Sequence, residues 1–357
     1  MSDGWRVRRA NGARQKGRIV QLTQTVPLIR AANVLPLIRW IEVNRLDADR
    51  YLERADLGYW FALSPFDPIP THNGIAMLRE LSRDHGPGVA AEIVNQASIA
   101  ELGFIGRVAL GARSPLEALH RLNAAMPMHS SHEILRLIVT DERITIHHAF
   151  AFSLDPESLH AVHVLLIAML HQLFGFTGLR APLFEQVDMV PHPDLGLSHL
   201  APLFSDRLRP AEGAALTITM AANVAMNPFR VIARDRLANG NITGIAPLAE
   251  DRSLAASVRS VIAAMLHGGE PTIARIAGAG NISPRSLQRR LAEEGTSYSR
   301  QLDIVRRDLA MKHAADEGVS LADLSERLGY SAQSALTRAV RRLTGRTPSQ
   351  LADRQGG

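Results

Sequence analysis

Two short stretches of this chain place hydrogen-bonding side chains at helical spacing directly behind a serine. In the first, Ser283 and Pro284 precede Arg285, Ser286, Gln288 and Arg289; in the second, Ser331 precedes Gln333, Ser334, Thr337 and Arg338. Serine is a favoured N-cap and proline a favoured first helical residue, so each stretch predicts a helix whose outward face carries these groups. An arginine fork suits the acceptor edge of guanine, glutamine suits adenine, and small hydroxyls serve either a base or a phosphate. Reading of base edges is therefore expected from Arg285, Ser286, Gln288, Arg289, Gln333, Ser334, Thr337 and Arg338. Arg290, Arg341, Arg342 and Arg346 fall near helix ends or on the flanking side, where phosphate contact is the natural role.

The elements that must present these residues are equally legible. Ile273, Ile276 and Ala277 predict a short helix before a turn at Gly280 and Asn281, with Leu287 and Leu291 facing inward from the helix that follows. Further on, Ser320 caps a helix bearing Leu321, Leu324 and Leu328, Gly329 turns the chain, and Leu336, Val340 and Leu343 face inward. Leu287, Arg289 and Leu291 are matched by Leu336, Arg338 and Val340, each 49 residues later, so one helix-turn-helix unit is duplicated. The units are expected at about 272–293 and 320–344, the first with a leading helix weakened by Gly278 and Gly280. Between them, Ser299 to Ala315 predicts a single linker helix. Such a helix would hold two recognition helices about one duplex turn, ~34 Å, apart.

These residues resemble the AraC/XylS family. The run from Arg285 to Thr296 is similar to that family's first recognition helix and its exit, Gly329 to Ala339 to its second, and Thr344 to Pro348 to its closing motif. The resemblance covers roughly the last hundred residues and implies a DNA-binding regulator whose base-facing residues fall on Arg285, Gln288, Arg289, Gln333, Ser334, Thr337 and Arg338. Upstream, the stretches Glu101–Gly106 and Ser114–Leu119, with the helix after Asp155-Pro156, resemble the sensor domain labelled arabinose-binding in one subgroup. That resemblance implies a small-molecule or lipid effector and dimerisation; RNA polymerase is a further partner to consider for a DNA-binding regulator.

Composition narrows the alternatives. Cysteine is absent, which removes disulfides, thiolate metal sites and cysteine nucleophiles and fits the cytoplasm. Charge is uneven: residues 271–357 hold 14 Arg plus Lys against 9 Asp plus Glu, residues 1–20 hold 6 against 1, and the remainder holds 20 against 25. Basic ends on an acidic body predict a polyanionic partner. His132-Glu133 lacks the second histidine of a zinc protease motif, Gly278-Ala279-Gly280 lacks the third glycine of a dinucleotide fingerprint, and no phosphate-loop lysine occurs. Neither an enzyme nor a cofactor or metal is expected. An effector-independent or architectural DNA-binding protein remains the alternative; it would carry phosphate-facing arginines without a twofold Gln, Ser and Thr reading face.

At 357 residues the chain predicts two domains. The expected division is a basic tail at 1–20, an α+β effector and dimerisation domain at 21–237, a linker at 238–250 rich in Asn, Gly and Pro, and an all-α DNA-binding domain at 251–357. In the sensor, Ser114-Pro115 opens a helix to Met126, strands run over Glu133–Thr140, Arg143–Phe152 and Ala215–Met220, and Asp155-Pro156 opens an apolar helix to about Phe174. That helix reads as buried rather than membrane-spanning, because histidines interrupt it. Asp67 to Pro70 reads as a loop. His148 shares a strand face with Ile144, Ile146 and Phe150 while His147 points the other way; His148 reads as a core histidine, with an effector-binding role as the alternative.

Overall fold

The computed structural model describes residues 25–204, 207–230, 245–248, 251–268 and 270–314, together with Thr337, Arg338 and Arg341. The basic tail, Gln333, Ser334, Arg342, Arg346 and nearly all of the second helix-turn-helix stretch lie outside the described residues.

Strand β1 (Leu28–Arg30) leads to helices α1 (Leu35–Val43) and α2 (Ala48–Arg54), then to β2 (Pro68–Pro70) and α3 (Thr71–His85). β2 corrects the loop expected at Asp67–Pro70: it pairs antiparallel with β1, Ile29 opposite Ile69. Proline is tolerated because β2 pairs with β1 on one side alone, and Ile69, fully buried, anchors it. Short helices α4 (Val89–Glu92), α5 (Ser98–Glu101) and α6 (Phe104–Leu110) follow, then α7 (Pro115–His129). Ser114 caps α7 through the Glu117 N–H. The helix outruns its expected end at Met126 because Pro127 sits in the last turn, where it forfeits only its own hydrogen bond; the Ser130 N–H still reaches the Met126 carbonyl.

A hairpin of β3 (Glu133–Val139) and β4 (Arg143–Phe150) precedes the long α8 (Pro156–Gly175), capped by Asp155. α8 is long and apolar enough to cross a membrane, yet 61% of its apolar stretch is buried inside the protein, as a core helix requires. β5 (Gln186–Met189), β6 (Leu208–Pro210) and β7 (Leu216–Ala221), followed by α9 (Ala222–Met226), complete a five-stranded sheet. Its order is β3-β4-β7-β5-β6, antiparallel except for β5 and β6. Alternation along β4 and β7 sends Ile144, Ile146, His148, Leu216, Ile218 and Met220 to the inner face.

The helical region begins with α10 (Leu254–Met265), capped by Ser253, and continues through α11 (Ile273–Ala279), α12 (Pro284–Glu293) and α13 (Tyr298–Ala314). α13 covers the stretch expected to be a linker helix; its continuation toward the second unit lies outside the described residues. One apolar cluster runs without interruption from β1 and α3 into α10, α11, α12 and α13, so the α+β region and this helical region share a core. Polar contacts stitch the seam. The Val26 N–H donates to Ser257 Oγ at 3.0 Å, and the Arg275 guanidinium holds Asp56 at 2.8 Å.

Candidate nucleic-acid interface and internal cavity

The described helix-turn-helix unit is built by caps and a buried leucine pair. Thr272 receives the Arg275 N–H at the start of α11, and Ser283 receives the Ser286 N–H at the start of α12, with Pro284 at its first position. Gly278 does not break α11, which is helical through Ala279; the turn is made by Gly280 and by Asn281 at φ +51°, a conformation asparagine adopts readily. Leu287 and Leu291 are fully buried. Glu294, just past α12, accepts the Leu254 and Ala255 N–H groups at 2.8 and 2.9 Å and so caps α10. Gln301, itself buried, joins Arg259 to Thr296 and holds α13 against α10.

With the inner face closed, Arg285, Gln288 and Arg289 are exposed at i, i+3 and i+4 on α12. Among the described residues none engages their heads. Ser286, grouped with them from sequence, is half-buried, and its hydroxyl accepts from Ser283 Oγ at 2.9 Å, so it serves the cap as well. Arg290 is half-buried at the flank. Of the second set, Thr337 is half-buried, Arg338 and Arg341 are exposed, and all three are helical.

A second feature lies in the α+β region. A cavity of about 190 Å³ opens between the inner face of β3 and β4 and helices α3, α7 and α8. Its wall is aliphatic, with α8 contributing Val162, Leu166 and Leu170. Five polar residues interrupt it: Asn33, Thr71, His129, Glu133 and His148. Thr71, His129 and His148 are 2%, 5% and 6% exposed, and Thr71 Oγ1, His129 Nδ1 and both ring nitrogens of His148 have no hydrogen-bond partner. His148 is thus a cavity residue and not a hydrogen-bonded core histidine. Its Nε2 stands 3.9 Å from a Glu133 carboxylate oxygen, within ion-pair range but beyond a hydrogen bond. Burial pushes the Glu133 carboxyl up, but the pull of His148 and then of His129 outweighs it and the net direction is down. His129 is lowered by burial, which outweighs the opposing pull of Glu133; the charge of Arg30 adds a smaller push downward.

Helix α3 belongs to both features. Thr71, Gly74, Ile75 and Leu78 line the cavity, while His72, Asn73, Ala76 and Arg79 face a cleft closed by Gly278 and Asn281 of the helix-turn-helix unit. Burial, partly offset by the backbone of Ala279, lowers His72 to about 4. The sequence reading missed Thr71, His129 and Glu133 as cavity residues, and it missed the seam. A carboxylate on an otherwise apolar strand, Glu133 ahead of Ile134, Leu135 and Leu137, was the one signal available for the cavity.

Comparison with known proteins locates the same unit. A family profile described as a helix-turn-helix domain matches residues 276–354. The HTH-type transcriptional regulator VirS of Mycobacterium tuberculosis is 38% identical over 103 residues, 29% of this chain and 30% of that protein. The ornithine utilization regulator of Pseudomonas aeruginosa is 35% identical over 82 residues, 23% of this chain and 24% of its own length. The matches therefore span less than a third of either relative. The crystal structure of the transcriptional regulator CdpR from Pseudomonas aeruginosa aligns over 89% of this chain and 96% of its own at 20% identity, with a TM-score of 0.37, too low to establish a common fold. Beside an α+β N-terminal region, the C-terminal region of this chain is an AraC-type helix-turn-helix domain.

Proposed function

We propose that this chain is a sequence-specific transcriptional regulator that reads two successive major-groove segments with paired helix-turn-helix units, under control of a small molecule bound in the α+β region. The observation that carries the DNA reading is α12: Arg285, Gln288 and Arg289 project from one face while Leu287 and Leu291 close the other. The relatives matched over the same residues, themselves named transcriptional regulators, support it. An architectural binder would need phosphate contacts alone, whereas Gln288 on the exposed face and the Gln333, Ser334 and Thr337 set are groups suited to base edges. Effector control is supported by the cavity and by α3, which lines it and also meets the turn at Gly278 and Asn281. Dimerisation belongs to the same proposal: β3 is an edge strand and exposes Ile138 and Val139. RNA polymerase is the further partner that such a regulator requires, and the cytoplasm the compartment.

Titration of labelled duplexes tests the assignment. Arg289→Ala is expected to cost about 1 to 3 kcal/mol on the preferred duplex, to relax preference at one base pair, and to leave random duplex unaffected. Arg290→Ala is expected to weaken both and lower the salt slope by about one unit. Equal loss by Arg289→Ala on both duplexes would contradict base reading.

A further inference from the structure

The cavity joins an aliphatic wall to a small polar corner, and that pairing defines a ligand. We infer that it binds an uncharged, mainly aliphatic molecule of about eight non-hydrogen atoms with a single hydroxyl, which donates to the Glu133 carboxylate and accepts from an N–H of His148. This rests on the reading of the α+β region as an effector sensor and specifies its ligand class.

Size comes first. A dry cavity of about 150 Å³ lined by aliphatic and aromatic groups accommodates benzene. At about 190 Å³, this one has room for one or two atoms more. A sugar or amino acid carries donors and acceptors all round, and the aliphatic residues that make up most of the wall would leave several of them unpaired.

The polar corner selects the head group. A histidine ring always presents at least one N–H, and a carboxylate only accepts; both nitrogens of His148 are orphaned, with Nε2 3.9 Å from a Glu133 oxygen. A hydroxyl can accept from one and donate to the other, and it is the smallest group that does both. A carboxylate head would set a second negative charge beside Glu133, which His148 and His129 hold below the usual carboxylate range. An ammonium head only donates, so it would leave the His148 N–H unpaired, and burial, the main cause of the lowering at His129, disfavours a charge here. A purely apolar molecule would fill the space and leave the orphaned nitrogens as they are.

Isothermal titration of the full chain with 1-heptanol, heptanoate, heptylammonium and ethylbenzene separates these cases. 1-Heptanol is expected to bind saturably and at least ten-fold tighter than the other three, and to shift the ring resonances of His148 and His129 in histidine-labelled protein. His148→Phe is expected to lose that preference while keeping ethylbenzene binding, which shows that the cavity is intact. If this variant does not fold, the wild-type ring shifts decide. Tighter binding of heptanoate or heptylammonium, or an unaltered His148 resonance with 1-heptanol bound, would overturn the inference. DNA affinity measured alongside keeps the two readings apart. Saturable 1-heptanol binding without any change in DNA affinity upholds the ligand class and removes effector control; DNA binding without 1-heptanol binding removes the ligand class alone.

Discussion

Arg289 and His163 show how differently a polar side chain is used on the two faces of this molecule. Arg289 is free to meet a partner because Leu287 and Leu291 take all the packing on α12. His163 on α8 is fully buried, with its Nδ1 accepting from the Val190 N–H at 3.1 Å. Burial, with the nearby His148 and His160, lowers His163 to about 3; burial, opposed by a hydrogen bond to the Val190 carbonyl, lowers His160 to about 4. With His72, also at about 4, these rings are neutral in the folded protein well below the ordinary 6.5 of the unfolded chain. The unfolded chain then binds protons that the native protein excludes, so stability is complete above pH 6.5 and is lost as pH falls from 6.5 toward 4. Each unit of displacement is worth about 1.4 kcal/mol. Calorimetry is expected to show Tm falling steadily from pH 6.5 to 4.5, above the range in which carboxylates such as Glu117 titrate; a flat Tm over that interval would contradict burial of these rings as neutral groups.

At the scale of elements, two glycines predict opposite signs. A Cβ on Gly268 would lie 2.6 Å from Tyr59 Cβ and 3.0 Å from its Cα, at the seam between the helical region and the α+β region. Gly268→Ala is expected to destabilise by about 1 to 3 kcal/mol. Gly278, inside α11, has nothing within 4 Å of its would-be Cβ, so Gly278→Ala is expected to stabilise by about 0.5 to 1 kcal/mol. Urea unfolding of both variants checks this; a neutral Gly268→Ala would mean that the seam is not closely packed. The contrast also shows what could be read in advance. Caps at Ser114, Asp155 and Ser283 and the alternation in β4 are local, so their elements are legible from residue order. β2, the meeting of Gly268 with Tyr59, and the bonds from Arg275 to Asp56 and from Val26 to Ser257 join residues far apart in sequence, and no periodicity encodes them. The reading face on α12 was legible because a helix exposes what it does not bury. Of the polar corner only His148 was legible, as an alternative reading, because Thr71, His129, Glu133 and His148 arrive from four different elements.

At the scale of the whole molecule, α3 lines the cavity on one face and meets the turn of the helix-turn-helix unit on the other, so the proposed effector control would pass through it. Assembly is a separate matter of the sheet edge. Ile138→Lys places a charge on the open side of β3 and, if the proposed dimer forms through that edge, is expected to give a monomer in light scattering where the unaltered chain gives a dimer; a dimeric mass for the variant would remove that edge from the interface. The central claim, that the chain reads sequence with paired units, is tested most directly by selecting binding sites for the full-length protein from random duplex DNA. The account predicts an enriched site with two preferred segments about 10 base pairs apart, bound about a thousand-fold or more tighter than random duplex at physiological salt. Enrichment of no sequence, with all duplexes bound alike, would contradict it.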